Sequence, residues 1–162
     1  LYWMKKNNLV IITGDSGSGK STIIKSIYKD YVTISVDDIK ENLFNSYYDI
    51  KKSKMNYTSK QMMSDGSFNI FWKMLEELMK KSVNCAVEYP FNEHHIKAFN
   101  KLIKKYNYQC TLIIIYVSKY TRLKRQIKRI KDESRHKGHH NYIGQDNFIR
   151  KLMLIFNCAI LY

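Results

Sequence analysis

The sequence predicts an α/β fold, a three-layer sandwich with a central parallel sheet, and two observations carry that prediction. Four short β-rich runs, Leu9 to Thr13, Tyr31 to Val36, Asn84 to Glu88 and Cys110 to Val117, alternate with segments of helical period. Each run leads directly to polar residues: Gly14 to Gly19, Asp37-Asp38, Glu88, and Ser118-Lys119. Ligands of parallel α/β sheets sit at the carboxyl ends of the strands, so these residues are expected to share one cleft.

Taken in order, the first run passes through "GDSGSGKS" into "TIIKSIY", which reads as a helix. The second, in "VTISVDDIKENLF", closes on two aspartates, either of which would N-cap the helix "IKENLF". Phe68, Phe71, Trp72, Leu75 and Met79 share one helical face, as do Ile96, Phe99, Ile103 and Tyr106; apolar stripes of this kind belong to a core. The fourth run, "CTLIIIYV", is apolar on both faces, as a strand covered by helices on each side would be.

With 162 residues, one domain spanning 1–162 is expected, and a chain of this length buries roughly two-thirds of its unfolded surface. Hydrophobic residues make up 44% and Pro occurs once, which leaves no room for a disordered linker. A net charge of +14 attracts polyanions: nucleotides, nucleic acid or anionic membrane. A Lys-rich solvated surface is the plainer reading, since the charge is not gathered into an arginine-rich arm. Cys85, Cys110 and Cys158 are odd in number and widely spaced, and are expected to be buried reduced thiols. No apolar run approaches the ~20 residues of a bilayer span, and "LYWMKKNNLV" lacks a signal-peptide pattern. A cytoplasmic location and no membrane partner are expected.

Gly14 to Ser21 fits G-x-x-x-x-G-K-[ST] between a strand and a helix, the context in which that pattern is a phosphate-binding P-loop. Glycines let successive N–H groups point at phosphate oxygens, and the helix N-terminus adds its dipole. Gly14, Asp15, Ser16, Gly17, Ser18, Gly19, Lys20, Ser21 and Thr22 are therefore the expected nucleotide-binding set. Lys20 would reach the β- and γ-phosphates and the Ser21 hydroxyl would ligate Mg²⁺. ATP and Mg²⁺ are the expected cofactors.

Three sequence features bear on what happens to the phosphate. The fourth strand continues "SKYTRLK" rather than Asn-Lys-x-Asp, which disfavours a GTPase. The third ends in Glu88 alone rather than an acidic pair, which argues for transfer over hydrolysis. Transfer to a hydroxyl needs a carboxylate to take the proton, and an aspartate just after the strand beside the P-loop strand would lie near the γ-phosphate. Asp37 is preferred to Asp38 for that role. One of the two can cap the helix while the other faces the cleft.

"GDSGSGKST", "SVDDIKENL", the acid-ended strand "CAVEYPF" and "RLKRQIKRIKDESRHKGHH" resemble the small P-loop kinases that include the zeta-toxin-like and chloramphenicol-phosphotransferase-like phosphotransferases. The kinase domain of polynucleotide 5'-hydroxyl kinases is a relative with the same order of motifs. The resemblance runs to about His140. It implies a P-loop NTPase fold of the nucleoside-kinase-like type with a helical lid at about 119–145. It also implies that Asp37 is the general base and that Arg125, Arg129 and Arg135 close over the phosphates. Guanidinium forks suit phosphate oxygens and the charge of the transition state. Without the resemblance, Arg125 and Arg129 read rather as part of an exposed basic helix amid Lys124, Lys128 and Lys131.

Two departures concern the acceptor. Lys40 stands where many relatives carry arginine, and "FNEHHIKAF" has His94-His95 where nucleic-acid kinases often show paired arginines. A polynucleotide acceptor is thereby disfavoured. Asp38, Lys40 and Glu88 are the expected substrate-binding residues, with Glu88 near the acceptor or the water shell of the metal. The acceptor pocket is expected from Tyr47 to Trp72, whose Tyr, Met and Lys suit an aromatic or anionic molecule. His136 and His139 are assigned to lid contacts, and "NCAILY" is a candidate for a further strand.

The function expected is an ATP-dependent kinase acting on a hydroxyl of a small molecule or nucleotide-type acceptor. A polynucleotide 5'-hydroxyl kinase, a toxin-like kinase acting on a nucleotide-sugar, and a nucleotide-sensing nucleic-acid-binding protein without transfer activity are the alternatives.

Overall fold

The computed structural model describes residues 7–48, 57–90 and 93–131. Their order is β1 (Asn8–Gly14), α1 (Lys20–Ile27), β2 (Val32–Ser35), α2 (Val36–Tyr48), α3 (Tyr57–Lys80), β3 (Cys85–Glu88), α4 (Glu93–Tyr106), β4 (Gln109–Ile115) and α5 (Lys119–Lys131). The strands pair in parallel in the order β2-β3-β1-β4, so the expected α/β sandwich is present.

Alternation along β1 divides the core in two. Leu9 and Ile11 face a layer in which Phe71, Leu75 and Met79 of α3 and Phe99 of α4 are buried. Val10 and Ile12 face Ile24 of α1, with Ile23, Tyr28 and Ile113 packed alongside. Both helical stripes read from the sequence thus lie on the core, and each large side chain buried there contributes roughly 1.5–3 kcal/mol.

The amino ends of the strands are stitched together. Asn8 N–H donates to Asn84 Oδ1 at 2.8 Å, Gln109 N–H to Asn7 O at 2.8 Å, and the Tyr108 hydroxyl to Val83 O at 2.8 Å.

Three expectations are corrected here. β2 is not beside the P-loop strand: β3 lies between them, because the chain enters the sheet two strands from β1 and returns to fill the gap. Neither Asp37 nor Asp38 caps α2. The helix begins at Val36, and Asp38 N–H donates to Ser35 Oγ at 3.3 Å, so Ser35 caps it. Both aspartates lie in the first turn, where the helix dipole favours negative charge.

The third correction concerns the extent of burial of β4: Leu112 packs on one core layer and Ile113 and Ile115 on the other, as two apolar faces require, but among the described residues the strand lies at the sheet edge and is not fully covered. Its Gln109, Cys110 and Thr111 are exposed and Leu112 to Ile115 are half-buried. Cys110 is exposed as a residue rather than fully buried, although burial still pushes its thiol up to about 11, whereas Cys85, on central β3, is buried. Cys158 and "NCAILY" lie outside the described residues.

Candidate active site

β1 delivers the P-loop at its carboxyl end, and close packing makes glycine necessary at Gly14. A Cβ there would lie 2.6 Å from Ile115 O and 2.8 Å from Ser18 Oγ, and its φ of +154° is one that L side chains rarely adopt. Beyond it Ser18 N–H donates to Asp15 O at 3.1 Å, and Gly17 and Gly19 take φ of 83° and 99°. These left-handed residues turn the chain back on itself over a few positions.

Gly19 is the N-cap of α1 and supplies no side-chain cap, so the dipole-bearing end of the helix opens into the loop. Thr22 N–H and Ile23 N–H both donate to Gly19 O at 3.1 Å, and the Thr22 side chain is exposed.

Glu88 holds Lys20 and Ser21 of the loop together. Ser21 Oγ donates to Glu88 Oε2 at 2.9 Å, and Lys20 Nζ lies 3.5 Å from Glu88 Oε1. Lys20 Nζ also donates to Asp15 O at 3.2 Å. The side chains of Lys20 and Glu88 are only 12% and 11% exposed, so this contact is shielded from solvent. Register explains it: Glu88 pairs with Ile12 on β1 and with Ser35 on β2.

The same register places Asp37 on the far side of Glu88. Ser35, the partner of Glu88, precedes it by two residues, and two strand spacings put β2 about 10 Å from β1. Asp37 is half-buried and Asp38 exposed.

α5 forms the outer wall of the loop. Arg125 Nη1 donates to Gly17 O at 3.1 Å and to Ser18 O at 3.4 Å. Because a peptide's C=O and N–H point opposite ways, a Ser18 carbonyl turned toward Arg125 turns the Gly19 N–H away from it. Arg122, which the sequence reading passed over, pairs with Asp15. A charged residue at the second position of a buried loop was the signal that a counterion was needed.

Arg129 lies on α5 one turn beyond Arg125, but its side chain is outside the described residues, as are Arg135, His136 and His139. Lys40 is not gathered with the loop; its ammonium sits 4.9 Å from the Phe68 ring centroid, tying α2 to α3. His95 stacks on Phe68 at 5.7 Å and meets Tyr89 edge-on at 4.8 Å. Burial raises the Tyr89 phenol well above its usual range. Phe68 and Trp72, which lie in the expected acceptor segment, are half-buried, packed against the core, and in ring contact with Tyr89, the residue after Glu88.

A glycine-rich loop between a parallel strand and a helix, with an acid from the adjoining strand against its lysine and serine, defines a P-loop protein of kinase-type fold. More narrowly, the chain belongs to the zeta toxin family, whose profile matches residues 4–152. No curated protein sequence matches it.

Three solved structures share the fold. A putative kinase from Chloroflexus aurantiacus J-10-fl superposes with a TM-score of 0.69 at 16% identity, covering 83% of this chain and 72% of that one. A structure from the PezAT chromosomal toxin-antitoxin system of Streptococcus pneumoniae gives 0.68 at 17%, covering 96% and 66%. A chain of the Pnkp1/Rnl/Hen1 RNA repair complex gives 0.64 at 15%; the present chain is covered over 99% of its length and spans 48% of that one. Among the described residues no helix is long and apolar enough to cross a membrane.

Proposed function

We propose that the chain is an ATP- and Mg²⁺-dependent phosphotransferase that moves the γ-phosphate of ATP to a hydroxyl of a small molecule or nucleotide-type acceptor. The observation that carries the reading is the Glu88 carboxylate held against both Lys20 and Ser21, with Asp37 two strands from β1 across the same strand ends. Membership of the zeta toxin family supports it.

In this reading the loop amides and Lys20 hold the phosphate chain. The Ser21 hydroxyl and Glu88 carboxylate are hard oxygen donors of the kind Mg²⁺ takes, and the bound ion would neutralise charge on the transferring group. Asp37 accepts the proton of the acceptor hydroxyl as its oxygen bonds to the γ-phosphorus and ADP departs. Arg125, with Arg129 and Arg135, supplies guanidinium donors to the phosphoryl oxygens. Asp38 and Lys40 border the acceptor on α2, and Phe68 and Trp72 offer it an aromatic wall. The protein works in the cytoplasm, where ATP is available.

A polynucleotide 5'-hydroxyl end is a second acceptor, favoured by one observation: the net charge is +14, and α5 carries seven basic residues and no acidic one, in KYTRLKRQIKRIK. The likeness to a chain of an RNA repair complex agrees with it. A nucleotide-sugar is a third acceptor, the one a toxin-like kinase would use, and the likeness to a structure from a toxin-antitoxin system agrees with a toxin-like role.

The test is transfer from γ-labelled ATP with Mg²⁺ to a panel of 5'-hydroxyl oligonucleotides, nucleotide-sugars and small alcohols, using wild type, Asp37→Asn and Lys20→Ala. Labelling of one acceptor by the wild type alone, with ATP binding retained in Asp37→Asn, is expected. A protein that binds ATP, labels nothing and behaves identically as Asp37→Asn would instead be a nucleotide sensor.

A further inference from the structure

We infer that Arg122 positions the phosphate-binding loop, acting through Asp15 to set where Lys20 and the loop amides stand; the inference rests on the nucleotide-binding reading above. Arg122 Nη1 lies 3.3 Å from Asp15 Oδ2, with the two side chains 3% and 8% exposed. Arg122 Nε donates to Val117 O at 3.1 Å, and Arg122 N–H to Ser118 O at 3.0 Å. The start of α5 is itself fixed by Ser118, whose Oγ accepts Thr121 N–H at 3.3 Å. The guanidinium is thus anchored at the β4–α5 junction and reaches into the loop.

Asp15 faces two ways. Its carboxylate meets Arg122, while its carbonyl accepts both Lys20 Nζ at 3.2 Å and Ser18 N–H at 3.1 Å. Fixing the carboxylate therefore fixes the peptide that carries the carbonyl, and with it the lysine. Three residues along α5, Arg125 holds Gly17 O and Ser18 O. Two guanidinium groups thereby grip the loop at its second position and at its crown, from one helix.

Stability alone gives little reason for such a pair. A buried ion pair forfeits the hydration of both ions, and replacing both members by neutral groups of similar size is often neutral or stabilising. A positioning role and a merely structural one therefore differ in what the double replacement does. If the pair only packs, removing both charges changes little. If it orients the loop, the protein still folds and the phosphate chain loses its seat.

The experiment is titration calorimetry of ATP with Mg²⁺ on the full chain as wild type, Arg122→Gln, Arg122→Lys, the double variant Asp15→Asn/Arg122→Met, and Lys20→Ala as the loop-defective control, with thermal unfolding recorded for each. The double variant is expected to melt close to the wild type and to bind ATP about tenfold to a hundredfold more weakly. Arg122→Lys, which keeps a charge for Asp15 but loses the planar fork, is expected to fall between. Where an acceptor is known, the loss should appear in KM for ATP more than in kcat. A folded double variant with wild-type affinity overturns the inference, and does so even if Arg122→Gln fails to fold. A wild type that binds ATP no better than Lys20→Ala overturns the nucleotide reading itself.

Discussion

Ser21 and Glu88, 67 positions apart in the chain, are joined by a 2.9 Å hydrogen bond from Oγ to Oε2, while the other oxygen of Glu88 faces Lys20. One carboxylate therefore holds both side chains to which the proposed reaction gives the phosphates and their metal. Glu88→Gln keeps the size of the side chain and an acceptor for Ser21 but removes the charge. Transfer should fall by about a hundredfold in kcat with the fold intact by circular dichroism. An unchanged kcat would remove Glu88 from the site.

Gly14→Ala tests the contact between the loop and β4. The new Cβ would meet Ile115 O at 2.6 Å, and that oxygen belongs to backbone with little freedom to retreat. A loss of about 1–3 kcal/mol in urea denaturation is expected, together with weakened ATP binding. Gly66→Ala is the control: nothing lies within 4 Å of the added carbon, and its mid-helix position in α3 predicts a small gain in stability.

Ser35→Ala removes the cap of α2. The cost should be about 1 kcal/mol by denaturant unfolding. Because the same turn carries Asp37, transfer should fall by more than the lost stability explains, read as kcat at a temperature where the variant is folded. Ser35→Thr, which retains the hydroxyl, should restore both.

Alkaline pH should unfold the protein through groups buried at the base of the sheet. Burial pushes the Cys85 thiol from its ordinary 9.0 up to about 11, and burial first, then the nearby Cys85, pushes the Tyr108 phenol from 10.0 up to about 12. These groups stay protonated in the folded chain after they ionise in the unfolded one. Stability is therefore level below pH 9 and falls as pH rises from 9 towards 12. Each group contributes about 1.4 kcal/mol per pH unit within its own window. Cys85→Val should flatten the decline between pH 9 and 11 in melting curves. An unaltered slope would show that Cys85 takes no part.

What was legible in the sequence was what local pattern determines. The P-loop, the strand before it and the stripes of α3 and α4 depend on spacing within a few residues, and the structure reproduces them. The start of α2 was misread because Ser35 closes a β-branched run, "VTIS", which hides the Ser-x-x-Asp spacing of a cap. The outer position of β4 was invisible for another reason: strand order is fixed by crossovers, and an apolar run reads alike at the centre and at the edge. Arg122 escaped notice because its partner sits in the P-loop at the other end of the domain, and i,i+3 arginines on a lysine-rich helix look like surface.

The stitching of the amino ends of the strands makes the sheet resemble a comb clamped along its spine. Asn84 and Tyr108 hold the amino ends, while the P-loop, Glu88 and the turn bearing Asp37 are carried at the opposite, carboxyl ends. Small tilts of individual strands are magnified with distance from the clamp, so substitutions at Asn84 should register in the active site before they register in the core.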